Sequence, residues 1–299
     1  TIDASLVTTG NDSTTLRSQS IGGGGGVAGS VGGNAVLGGL GTGDRSARNM
    51  SLAIQDTVSS AGAQATSVQV QSIGGGGGSV NGVSGDITFG RSGPLPNTGD
   101  SSSGDLSLML EQDSKVFSLG AVSPGLIAQT IGGGGGLVGI VSGAVSLGSV
   151  NSVAQQTSTA GEVDVRVDGT IQTEKNNSPA LVAQSIGGGG GWVAQASGEV
   201  DMGVFNTKES DNSSNKVSVN TTGAISTLGQ NSTGLLAQSI GGGGGFIGIN
   251  TANDYRLVMG ATISDGLNNA SDITVVNQGS ISTAGNNSAA LTAQSIGGG

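Results

Sequence analysis

Residues able to do acid, base or metal chemistry are few. The chain has no histidine and no cysteine. Imidazole bases, thiolate nucleophiles, thiolate metal sites, haem ligation by these residues and disulfides are therefore excluded. Twenty carboxylates, ten Lys and Arg side chains and many hydroxyls remain. The densest acidic stretch holds Asp100, Asp105, Glu111 and Asp113. Calcium takes about six to eight oxygen ligands, so this stretch is the one candidate for a cation. The nonapeptide Gly-Asp repeat of calcium-binding β-rolls is missing, and no carboxylate pair recurs along the chain. Solvated loop charge is the better reading, and no metal or cofactor is expected. No serine has a histidine partner and no Ser–Lys pair stands out, so no catalytic set and no enzyme activity are expected. Asn-x-Ser/Thr triplets such as Asn220-Thr221-Thr222 follow from turn composition and are weak evidence of glycosylation.

Glycine is the second place to look for chemistry. Five complete tracts, Gly22–Gly26, Gly74–Gly78, Gly132–Gly136, Gly187–Gly191 and Gly241–Gly245, each hold five residues, and a sixth begins at Gly297. A phosphate loop needs a Lys and a Ser or Thr after its glycines. Val27, Ser79, Leu137, Trp192 and Phe246 stand there instead, so nucleotide binding is not expected. A flexible linker has no reason to keep one length in every complete copy. Ordered tracts are the favoured reading, lying side by side in extended or polyproline-II-like form where no Cβ fits. Trp192 and Phe246 share one position after their tracts. An exposed pair would suit a sugar; packing over the glycine backbone is the preferred expectation.

Each tract is preceded by Gln-Ser-Ile, or Gln-Thr-Ile once, ending at Ile21, Ile73, Ile131, Ile186, Ile240 and Ile296. A fixed phrase at a period of about 55 residues marks a repeat architecture. The units run approximately over 1–26, 27–78, 79–136, 137–191, 192–245 and 246–299, one repetitive segment covering 1–299. Three apolar blocks recur in each. The first is a pair two residues apart: Met50/Leu52, Leu108/Leu110, Val163/Val165, Val217/Val219 and Ile273/Val275. Six residues later stand Val58, Val116, Ile171, Ile225 and Ile281. The second comprises Leu16, Val68, Leu126, Leu181, Leu235 and Leu291 with the phrase that follows each. The third is Ala35/Leu37, Ile87/Phe89, Val145/Leu147, Val200/Met202 and Leu257/Met259, each closed by a glycine (Gly38, Gly90, Gly148, Gly203, Gly260). Alternation with period two predicts strands with one buried face. Corners such as Lys175-Asn176-Asn177-Ser178 suit left-handed turn residues. Gly90 to Gly104, with Pro94 and Pro96, is expected to be a surface loop.

These signals predict an all-β, β-helix-like solenoid with ordered pentaglycine tracts. Usual β-helix turns take roughly 18 to 28 residues, which favours two or more turns per repeat. One wide turn per repeat is the alternative, and it would align Gln19, Gln71, Gln129, Gln184, Gln238 and Gln294 in a single amide ladder. With 60 glycines and 2% aromatics, the chain lacks the bulk for a thick globular core and suits a thin, extended one. Its 34% hydrophobic content and strict alternation argue against disorder. A net charge of −10 disfavours nucleic acid and anionic membrane surfaces. No apolar run of about 18 residues predicts a membrane helix, and no signal peptide opens the chain. Both ends cut a repeat, so a segment of a longer chain is expected, with membrane contact only through anchor regions outside it.

The pattern Val-x-Val, then Gly-x-Ile-x-Thr, then Leu-x-Ala-Gln-Ser-Ile-Gly-Gly-Gly-Gly-Gly resembles the repetitive passenger regions of large bacterial autotransporters and related surface adhesins. Gly169–Gly191, Gly223–Gly245 and Gly279–Gly299 carry it most fully. The resemblance implies export through a Gram-negative outer membrane and display on, or release from, the cell surface. It implies a stalk or fibre supporting adhesion, biofilm or a surface layer, and it names no receptor or matrix ligand. A self-polymerising filament is the alternative, and an ice- or carbohydrate-binding repeat protein a lower one.

Overall fold

The structure, a computed structural model, describes residues 1–38, 43–90, 99–148, 150–151, 156–203, 205–206, 210–250, 257–259 and 266–297. Pro94 and Pro96 of the expected loop, Gly260 and the last two glycines lie outside the described residues. All the regular structure described is β-strand, and every pairing is parallel.

Six ladders of strands are met in order along each repeat. The first sheet holds Leu6–Thr8, Thr57–Ser60, Lys115–Ser118, Thr170–Thr173, Ala224–Thr227 and Ser280–Thr283. The second holds Leu16–Ile21, Val68–Ile73, Leu126–Ile131, Leu181–Ile186, Leu235–Ile240 and Leu291–Ile296. The third runs from Gly25–Val31 through Gly189–Ala196 to Gly244–Asn250, and the fourth from Ala35–Leu37 to Leu257–Met259. The fifth begins with Arg45–Ser46 and the sixth with Met50–Ile54. A pair of short strands, Val150–Asn151 and Phe205–Asn206, adds to two coils.

Register decides the turn count. Ile21 pairs with Ile73, Ile73 with Ile131, Ile131 with Ile186, Ile186 with Ile240, and Ile240 with Ile296. Each strand therefore bonds to its equivalent one repeat away. The expectation of two or more turns per repeat is corrected to one wide coil. The physical reason is that six strands and their corners are needed to close a path that bends back on itself after the glycines. Three apolar blocks accounted for only part of that path. The third and fifth sheets were missed because glycine, serine and threonine dominate them and no apolar alternation marks them.

One alignment in the sequence reading is also corrected. Leu106 and Leu108, not Leu108 and Leu110, pair with Met50 and Leu52 and with Val163 and Val165. That coil carries two extra residues before Val116. A tight turn absorbs them: Ser114 N–H donates to the Glu111 carbonyl at 3.2 Å, and Asp113 is left-handed with φ 69°.

The first and sixth sheets show the expected alternation, with Val163, Val165 and Val167 buried between exposed Asp164 and Arg166. Their inner faces enclose one core with Val68, Leu126, Leu181, Ala183 and Leu235 of the second sheet. The second sheet departs from the one-face expectation. All six residues of Leu181–Ile186 are buried, because the third sheet covers its other side. A second core lies between the third and fourth sheets, around Val138, Val145, Leu147, Val193 and Met202.

Corners are held by side-chain ladders. Asp12, Gln64, Val122, Asn177, Asn231 and Asn287 occupy one corner position and all have φ between 52° and 59°. Ser178 N–H donates to Ser232 Oγ at 3.0 Å, and Ser232 N–H donates to Ser288 Oγ at 3.0 Å. Thr173 Oγ1 caps the same turn by donating to the Ser178 carbonyl.

Candidate functional site: the glutamine ladder and glycine arch

The second and third sheets meet face to face, joined by the glycine tract, as the two arms of an arch. The glutamines project into this arch. Gln19 Nε2 donates to Gln71 Oε1 at 2.7 Å, and Gln71 Nε2 to Gln129 Oε1 at 2.7 Å. Gln129 Nε2 donates to Gln184, Gln184 to Gln238 at 2.6 Å, and Gln238 to Gln294 at 2.7 Å. The four inner glutamines are fully buried. An amide left unpaired there costs about 1–3 kcal/mol, whereas a stack lets every inner amide donate and accept. The second N–H of Gln71, Gln184 and Gln238 reaches the carbonyls of Gly78, Gly191 and Gly245 at 3.4–3.5 Å. Beside this ladder runs a column of Ile73, Ile131, Ile186 and Ile240.

The tract Gly187–Gly191 shows why glycine is needed. Gly187 lies against the backbone of the fifth sheet, where a Cβ would come within 2.6 Å of Ser213. At Gly189 a Cβ would meet Gly148 Cα, just past the fourth-sheet strand Val145–Leu147, at 2.4 Å. Gly190 and Gly191 have φ of 143° and 139°, and Cβ atoms there would lie 1.8 Å and 2.0 Å from the carbonyl oxygens of Gly244 and Gly136. Their conformation is not polyproline-II-like, which needs φ near −75°. Inter-coil bonds join the tracts: Gly133 N–H donates to Gly187 at 2.8 Å, and Gly188 N–H to Gly241 at 2.7 Å.

Trp192 follows this tract and is 1% exposed, packed with Val182, Leu236, Leu137 and Ala194 inside the arch. It cannot stack on a sugar from solvent, and its burial agrees with the preferred packed reading over the exposed one. Phe246 is partly buried against the same cluster. In the first two coils the arch is polar. Arg17 Nε donates to Gln69 Oε1 at 3.0 Å, and Gln69 Nε2 donates to Gln71 Oε1 at 2.7 Å. Burial pulls the Arg17 guanidinium below its ordinary range.

The acidic stretch is not gathered into a cation site. Asp100 Oδ1 accepts the Thr157 N–H at 2.9 Å, and Asp105 Oδ1 accepts the Glu162 N–H at 2.9 Å. Glu111 accepts Gln55 Nε2 from the coil before it at 2.9 Å. These carboxylates tie coils together. Among the described residues, no group of three or more Asp or Glu side chains is arranged to hold a metal ion. No protein-family model, no curated protein and no solved structure matches this chain.

Proposed function

We propose that the chain is a β-solenoid segment with ordered pentaglycine tracts that serves as a stalk or fibre of a bacterial surface protein, secreted or displayed at the outer membrane. The observation carrying this reading is the pairing of every repeat with its equivalents above and below. Such a stack grows along one axis as repeats are added and can present loops or a tip at a distance. Each coil adds about 4.8 Å, so the five complete coils rise to roughly 24 Å. The function is mechanical in this reading, with no turnover and no cofactor. Load along the stack is shared by backbone bonds in several sheets at once. The likeness of the Gln-Ser-Ile-glycine phrase to autotransporter passenger regions supports the cellular setting, and a host-surface or matrix ligand stays unnamed.

Electron microscopy of chains carrying one, two and three in-register copies of the four repeats 27–245 within the segment tests this reading. We expect length to grow by about 19 Å per added copy at constant width. Equal lengths, or flexible beads on a string, would sink it.

A further inference from the structure

The third-sheet position at the mouth of the arch is filled by Ser30, Gly82, Ile140 and Gln195 in successive coils. Of these four coils, only the second has no side chain there. The three heavy atoms nearest to the place where a Gly82 Cβ would stand are all oxygens. Gln64 Oε1 lies at 3.4 Å, Ser30 Oγ at 3.5 Å and the Ile140 carbonyl oxygen at 3.8 Å. Gln64 Oε1 is buried and receives no hydrogen bond. Behind Ser30 stands a carboxylate: Ser30 Oγ donates to Asp12 Oδ2 at 3.3 Å, while Asp12 Oδ1 is buried and also lacks a donor. The spot opens into a groove of about 350 Å³ lined by Val31, Gln64, Val83, Ser84, Ile140 and Ser142.

Gln64 Oε1 and Asp12 Oδ1 receive no hydrogen bond, and Ser30 Oγ keeps acceptor capacity beside them; such a set calls for a cation carrying protons. A calcium-like ion would want several carboxylates among its ligands at about 2.3–2.6 Å, and one is present. A primary ammonium brings three N–H donors and a full charge on an aliphatic stem. Val31, Val83 and Ile140 offer that stem an apolar wall. We propose that this cleft binds a primary alkylammonium group, either the side chain of a lysine on a partner or a free small amine. The proposal is independent of the stalk reading.

Titration of the full chain with N-acetyl-lysine amide, followed by NMR, is the test. Neutral N-acetyl-norleucine amide, n-butylammonium and calcium chloride serve as parallel probes. Saturable millimolar binding of the lysine compound is expected, at least roughly tenfold weaker for norleucine, because a charge-assisted hydrogen bond is lost. Equal binding of butylammonium would assign the site to free amines, and stronger binding of the lysine compound to a lysine side chain. Gly82→Ala should abolish binding without loss of thermal stability, since its Cβ would make only ordinary contacts at 3.4–3.8 Å. Gln64→Leu should weaken it. Absence of binding, equal binding of norleucine, preference for calcium, or an unaffected Gly82→Ala variant would each overturn the proposal.

Discussion

Gln184 carries two of the contacts on which the arch depends, accepting from Gln129 and donating to Gln238. Gln184→Ala strands a buried donor and a buried acceptor and opens a void. It should cost about 2–5 kcal/mol in urea unfolding. Gly190→Ala places a Cβ on the Gly244 carbonyl at a φ that alanine avoids. We expect a loss of about 3 kcal/mol or more, or failure to fold. Gly29→Ala is the control: nothing lies within 4 Å of its Cβ, and the change should stay within about 0.5 kcal/mol. Equal effects of the two changes would mean that the tracts are slack. At the corner, Asn177→Val puts a β-branched residue at φ 57° and removes the acceptor for Asn231 Nδ2. A cost of about 1–3 kcal/mol is expected by thermal unfolding. Val122 bears the same strain in its own coil, where it is buried against Ala121 and Ile140. This offsetting contact is missing from the polar corner at Asn177.

Between elements, charge plays a small part. Asp168, just after the strand Val163–Val167, accepts from Thr222 Oγ1 at 2.7 Å in the next coil and from Arg166 Nε at 2.7 Å. The Thr222 hydrogen bond, with Arg166 adding to it, holds its carboxyl below the usual range. A depressed carboxyl contributes stability above its unfolded pKa, and that contribution is lost as pH falls through the folded value. Thr222→Val should therefore narrow the difference in stability between neutral and strongly acid solution. Without histidine, no side chain has an ordinary pKa between pH 5 and 8. Thermal midpoints should stay flat across that interval; a transition within it would reveal a strongly shifted group. Alternation exposed the first and sixth sheets in the sequence, since those strands keep one face in water. It missed the third sheet because Gly189–Ala196 is covered on both sides, leaving no polar face to alternate with.

For the whole molecule, one coil per repeat makes the stack a one-dimensional array. Removing 137–191 joins Gly136 to Trp192 and keeps every ladder in step. That shortened chain should fold and unfold cooperatively, with a urea m-value lower by about one sixth. Removing half as many residues from 137 onward should break the register and the fold. A compact 299-residue stack has a radius of gyration of about 19 Å, against about 61 Å for an expanded chain. X-ray scattering distinguishes them directly, and the larger value would remove the basis for any stalk.

The phrase Gln-Ser-Ile-glycine, read alone, pointed to a repeat of about 55 residues, and the alternating apolar blocks pointed to β-structure; the alignment of the glutamines stayed open, because a repeat making two turns would set them two coils apart. Asn177 and Asn287 marked a left-handed corner by residue type alone. Tertiary structure decided what periodicity leaves open: one wide coil, a second sheet buried on both faces, and an arch closed by glycines. Those outcomes depend on which backbones approach one another. The carbonyl of Gly244 that excludes a side chain at Gly190 lies 54 residues away, and no spacing within a single repeat reveals it.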